Sequence, residues 1–270
     1  MPWAVVPVAH PLLDDVDLSI RIRTMKYALA FALLLAVPAH AQDFGVSGGR
    51  TFSVDLGLGA ALKPVYPGAE EAEVAPWVIW RNAGFGEVGD APAQGFSIAP
   101  SLGIVGPRDS GDDDGLTGLN DIDRAYELGL RVRYGIGPVG AYASARRGFD
   151  GHEGLTGEVG VKYRTELSDR LDLWAGAEVA YGDDDYNNTY FGVTADESAA
   201  SGYDVTTPGG GLNEAAITFQ AQYALNDRTA LLGEVRYGKL IGDAADSPVV
   251  QDEYQPSLRL GVTRRFSFGF

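Results

Sequence analysis

An all-β fold, a single closed antiparallel transmembrane β-barrel, is predicted for this 270-residue chain by three observations. First, the final segment alternates. Leu258, Leu260, Val262, Phe266, Phe268 and Phe270 share one face, while Ser257, Arg259, Gly261, Thr263, Arg265, Ser267 and Gly269 share the other. Successive strand side chains point to opposite faces, so the pattern suits a wall with lipid outside and a wet lumen inside. Second, an export signal precedes the alternating segments. Third, no later stretch approaches the roughly 18 uninterrupted apolar residues of a membrane-spanning helix.

The elements follow in chain order. Residues 1–24 read as an upstream extension, and Met25 as the start of a signal peptide (25–41) with Lys26, an apolar run from Tyr27 to Val37, and a small-x-small cleavage site at Ala39-His40-Ala41. Residues 42–270 are then one barrel, and the absence of cysteine leaves closure of the wall, rather than disulfides, to stabilise it. Phe52, Val54, Leu56, Leu58, Ala60 and Leu62 alternate with Ser53, Asp55, Gly57 and Gly59 in a first strand. Val74 to Arg81 and Phe96 to Gly106 form weaker ones. Tyr126, Leu128, Leu130, Val132, Tyr134 and Ile136 interleave without error with Glu127, Gly129, Arg131, Arg133 and Gly135. Val139 to Arg146 is weak again; strands around Val159, Ala175, Phe219 and Val235 are clear.

Connections alternate between tight turns and long loops. Gly135 to Gly140, Leu167 to Arg170 and Leu225 to Arg228 are short, whereas Pro107 to Asp123, Arg147 to Glu153, Gly182 to Glu214 and Asp243 to Glu253 are long. Short turns on the periplasmic rim and long loops outside are the outer-membrane arrangement. Both chain ends on one rim require an even strand count, which is ten, or twelve if Asn82 to Gln94 hides a hairpin. A soluble β-sandwich would also alternate, but its apolar face would carry large core side chains instead of this mixture of Leu and Val with Ala and Gly. Arg264 breaks the lipid-face pattern and is expected at the membrane edge, where its head can reach the headgroups.

The net charge of -16 is uneven. The five expected outer loops (63–76, 107–123, 147–153, 182–214 and 243–253) hold 22 carboxylates against Lys63, Arg108 and Arg147. An acidic rim disfavours nucleic acid. The inward faces carry both signs: Glu127, Arg131, Arg133, Glu158, Lys162, Arg164, Glu234 and Arg236. A barrel of this strand number has an interior little wider than its own side chains, so these are expected to form a cross-lumen ion-pair network. Phe266, Phe268 and Phe270 are the expected barrel-assembly terminus.

Catalysis and cofactors are not expected. Once His10 and His40 are processed away, only His152 remains as a base, in a loop expected to be exposed beside Asp150 and Glu153. One histidine without cysteine does not make a zinc site. Asp112, Asp114 and Asp121 are weak divalent-cation candidates in a frame loosely like a calcium loop, and such cations would bridge the acidic rim to lipopolysaccharide phosphates. In Gly182 to Glu214, the segment Thr194 to Ser201 is expected to form a short helix, and the loop either plugs the lumen or stands outside as a binding surface, with Asp243 to Val250 packed against it.

Several of these segments resemble the MipA/OmpV family. Pro64-Val65-Tyr66-Pro67-Gly68, Gly118-Leu119-Asn120-Asp121-Ile122-Asp123, Gly151-His152-Glu153-Gly154-Leu155, Tyr190-Phe191-Gly192-Val193-Thr194 with Ala199-Ala200-Ser201-Gly202, and above all Leu240 to Val250 carry the likeness. The resemblance implies a Gram-negative outer-membrane scaffold bringing a lytic transglycosylase together with a murein synthase at the peptidoglycan, or an envelope-integrity protein. A narrow diffusion channel and a surface adhesin are the alternatives.

Overall fold

Ten antiparallel strands make one sheet in the computed structural model, which describes residues 51–85 and 94–269. They are β1 (Thr51–Pro64), β2 (Ala72–Phe85), β3 (Gly95–Val105), β4 (Ala125–Ile136), β5 (Val139–Asp150), β6 (Leu155–Ser168), β7 (Leu171–Gly182), β8 (Gly211–Asn226), β9 (Thr229–Leu240) and β10 (Tyr254–Gly269). Two short helices, α1 (Asp184–Phe191) and α2 (Ala195–Ser201), lie between β7 and β8. The order across the sheet is β2-β1-β10-β9-β8-β7-β6-β5-β4-β3, so the first strand pairs with the last and every other neighbour is a hairpin partner. No helix among the described residues is long and apolar enough to cross a membrane. The signal peptide and the segment 86–93, where a hairpin would raise the count to twelve, lie outside the described residues.

Side-chain exposure inverts the rule for a protein dissolved in water. Val74 is 73% exposed and Phe96 67%, while Asp55 and Glu127 are each 6% exposed. Tyr126, Leu128, Leu130, Val132, Tyr134 and Ile136 of β4 all point to the exposed face. Water would penalise so continuous an apolar face, far beyond the patch size ordinary for a soluble monomer, whereas hydrocarbon would not. The polar face is concave. Arg81 on β2 donates at 3.0 Å to Gln222 on β8, four strands along the sheet, which a flat sheet would forbid.

Register explains the apparent misfit on the lipid face. Arg264 pairs with Thr229, the first residue of β9, so it stands level with the tight turn at Asp227-Arg228 instead of at mid-height. Beyond it β10 continues only against β1, to Gly269 opposite Thr51. Phe266 and Phe268 lie in that overhang, and Phe270 lies outside the described residues. Arg147, expected in a loop, belongs to the outward face of β5 opposite Leu155, at the other rim.

Candidate functional site: the charged concave face and its lid

The concave face is crossed by charge pairs because inward parity on neighbouring strands puts opposite charges at equal depth. Arg146 on β5 sits at the centre, its Nε 2.7 Å from Glu127 and its Nη2 2.9 Å from Glu158. Arg131 reaches the second oxygen of Glu158 at 2.7 Å. Thr156 donates to Glu127 at 3.1 Å and Ser144 to Glu158 at 3.2 Å, so each carboxylate is satisfied from several directions. A second cluster has Arg236 forked onto Glu214 at 2.6 and 2.9 Å and onto Glu178 at 3.1 Å, with the Tyr142 hydroxyl donating to Glu178. Glu234 is held by Arg259 at 2.9 Å and Gln220 at 3.0 Å. Nearer the tight turns, Arg164 meets Asp172 at 2.8 Å and Arg265 is bidentate to Asp55 at 2.8 and 3.0 Å.

The eight charged residues singled out from sequence are all on this face, but not in one network. Glu127, Arg131 and Glu158 share a cluster; Arg236, Glu234 and Arg164 each belong to others. Lys162 and Arg133 enter no ion pair among the described residues. Lys162 lies over the Tyr142 ring at 5.8 Å, beside Arg131 at 4.9 Å. Arg146, Glu178, Glu214, Arg259, Asp55, Arg265 and Asp172 complete the pairs, and inward parity was the signal that marks them.

The long loops fold together into a lid with its own core. Tyr66 and Ala69 from the β1–β2 loop, Leu116 and Leu119 from the β3–β4 loop, Val193 from the β7–β8 loop and Val249 from the β9–β10 loop form one apolar cluster. Ile122, Tyr190, Phe191, Leu240 and Ala244 form another. Helix α1 starts where the Asp183 side chain accepts from the Tyr186 amide; α2 starts with a reciprocal capping box between Thr194 and Glu197 and stops at Gly202, whose φ of 81° favours glycine. Polar ties join the loops: Ser247 donates to the Phe191 carbonyl at 2.6 Å, Tyr203 to the Gly115 carbonyl at 2.9 Å, and the Asn120 amide to Glu197 at 2.9 Å. The loop 182–214 is therefore held in the lid, with the segment after Leu240 packed on it. Its last residues, from Gly211, already belong to β8.

Gly118 shows how tightly the lid is docked. Its φ is 86°, and a Cβ there would stand 2.7 Å from the backbone of Ala200 and Ser201. Gly118→Ala is expected to destabilise the lid by about 1–3 kcal/mol, read as faster proteolysis of the β7–β8 loop with the strands still protected.

Two expectations about single residues are corrected. His152 is 3% exposed, not a solvated turn residue. It sits against Gly148 beneath Tyr186 and Tyr190, ring centroids 5.0 and 5.6 Å away, with Nε2 3.4 Å from Glu127. The aspartates proposed for a divalent cation are not assembled: Asp121 accepts from the Ser110 amide at 2.6 Å and Asp112 from the Asp109 amide at 3.3 Å, and no group of three or more potential ligands is gathered among the described residues. These carboxylates cap loop backbone.

Acid should act on the lid first. Burial alone would raise the Glu197 carboxyl, but hydrogen bonds from the Asn120 and Thr194 amides and the Thr194 hydroxyl, with Arg108 nearby, hold it below its ordinary value. The Ser110 amide does the same for exposed Asp121. A carboxylate lowered on folding stabilises at pH above its unfolded value and loses that contribution as pH falls through the folded one. Amide exchange in the lid is accordingly expected to rise below about pH 4 while strand amides stay protected; equal exposure of both would refute this.

An inside-out sheet, lipid-facing outside and charge-filled within, defines an outer-membrane β-strand protein. The MltA-interacting protein MipA family matches residues 56–266, and the chain belongs to that family. Among its relatives are outer membrane protein Omp26La of Vibrio anguillarum and outer membrane protein OmpV of Vibrio cholerae, each 28% identical over 178 residues, 63% of this chain and 65% of the relative. The chain thus spans less than two thirds of these relatives. Among solved structures, the COG4313 outer membrane channel from Pseudomonas putida F1 matches with a TM-score of 0.44 at 12% identity, over 82% of this chain and 97% of that one. The protein is located in the outer membrane.

Proposed function

We propose that this chain is a non-enzymatic outer-membrane barrel that serves as a scaffold for murein enzymes, its lumen plugged by the ion pairs and the lid. The observation that carries the reading is the filling of both: paired charges occupy the concave face, and the lid shares a core among four loops. That same core supports closure of the wall. It joins the β1–β2 loop to the β3–β4 loop, the two loops that flank the terminal strands β2 and β3. The long-loop rim faces outward in this reading. His152, sealed under two tyrosines, is poorly placed to act as a base.

The family's name, that of an MltA-interacting protein, supports a lytic transglycosylase as partner. Its contact falls on the tight-turn rim, where Asp169-Arg170 and Asp227-Arg228 flank one recess of about 380 Å³ and offer several turns to a single partner. Cross-linking in intact envelopes is expected to recover a murein hydrolase, with recovery reduced by Arg170→Glu combined with Arg228→Glu. Planar bilayers containing the pure protein are expected to show no steady conductance. A steady current altered by Arg131→Glu or Glu158→Lys would instead establish a narrow channel.

A further inference from the structure

Beneath the lid lies a cavity of about 280 Å³ whose walls include Val65, Val105 and Leu240 and whose polar lining includes Arg108, Tyr190 and Arg236. Most of its cations are matched: Lys63 by Glu73, Arg236 by Glu178 and Glu214, Arg259 by Glu234. Arg108 is the exception. It is 5% exposed, it enters no ion pair among the described residues, and its guanidinium makes one hydrogen bond, from Nη1 to the Tyr190 carbonyl at 3.0 Å. Among the described residues neither its buried Nε nor the hydroxyl of Tyr190, itself 1% exposed, has a hydrogen-bond partner.

A buried guanidinium with a single acceptor and a buried phenol with none are costly. The Arg108 backbone makes the bridge to Ile122, and Glu197 and Asp121 act on its guanidinium only at a distance, without an ion pair among the described residues. Both groups are donors lining one cavity, so the missing species is an acceptor, and the positive partner excludes a cation. The aliphatic walls call for an apolar body behind the acceptor. Arg108 also lines a recess on the outer side of the lid, beside the carboxylates Asp121, Asp123, Asp150 and Glu197, so it is the cation of an otherwise acidic entrance.

We infer that this cavity binds a small organic acid, its carboxylate taking hydrogen bonds from the Arg108 guanidinium and the Tyr190 hydroxyl and its apolar part resting on Val65, Val105 and Leu240. The site is independent of the scaffold reading. It can be occupied whether or not the lumen conducts or a murein enzyme binds.

Ligand-detected NMR and calorimetry on the full chain folded in lipid nanodiscs test this, with phenylacetate as probe and neutral phenylacetamide and cationic benzylamine as its shape-matched controls. Phenylacetate is expected to bind saturably and at least about tenfold more tightly than either control. Arg108→Gln is expected to weaken it about tenfold or more and Tyr190→Phe by a few-fold, with Arg264→Gln at the tight-turn rim unchanged. Equal binding of the amide, preference for the amine, no saturable binding to the unaltered chain, or unchanged affinity in Arg108→Gln would each overturn the assignment. If Arg108→Gln fails to fold, the acid-against-amide comparison and Tyr190→Phe decide it.

Discussion

Arg146→Ala is expected to destabilise the sheet by about 3–5 kcal/mol, because it strands Glu127 and Glu158 as uncompensated charges in a confined interior. The side chains concerned are 12%, 5% and 24% exposed, too enclosed for water to screen them fully. Arg131 keeps one contact to Glu158, but Glu127 is left with Thr156 and the more distant His152. The measurement is the temperature at which the folded band of the detergent-solubilised protein shifts to the unfolded one on a gel. Combining Arg146→Met with Glu127→Gln and Glu158→Gln is expected to recover most of the loss, since the cost comes from unpaired charge, not from missing attraction. A triple variant as unstable as the single one would show that Arg146 acts through packing.

Phe191→Ala is expected to cost about 3–5 kcal/mol of lid stability while leaving the strands intact. Phe191 is 1% exposed, packs with Tyr190, Leu240 and Ala244, and presents the carbonyl that receives the Ser247 hydroxyl. Emptying that position frees α1 from the segment after β9. Limited proteolysis is the check: cleavage within residues 183–210 should speed up by about two orders of magnitude or more, in proportion to the opened population, while cleavage between strands does not change.

The strands were legible because period-two alternation survives wherever large apolar residues face lipid, as in β4. The legible part faded where outward residues are small. Ala141, Ala143 and Ala145 give β5 little contrast, so its far half, with Arg147 and Phe149, read as a loop, and Arg146 was missed as the hub between Glu127 and Glu158. Helix α2 was readable as the small-residue stretch Thr194 to Ser201. The burial of His152 was not, since it depends on Tyr186 and Tyr190 from another loop, and no local pattern encodes that meeting. Inward charges could be assigned to a face but not to partners, because pairing depends on register across strands.

The pairing of β1 with β10 has a consequence for biogenesis. Tyr66 donates to the Val249 carbonyl at 3.3 Å and the Gly68 amide to Gln255 at 3.0 Å, bonds between chain segments 183 and 187 positions apart. Such contacts form only once both segments are in place, so the closure of nearly the whole sheet precedes them. The lid is thus a completion mark: a molecule whose long loops resist protease has already brought β1 and β10 together.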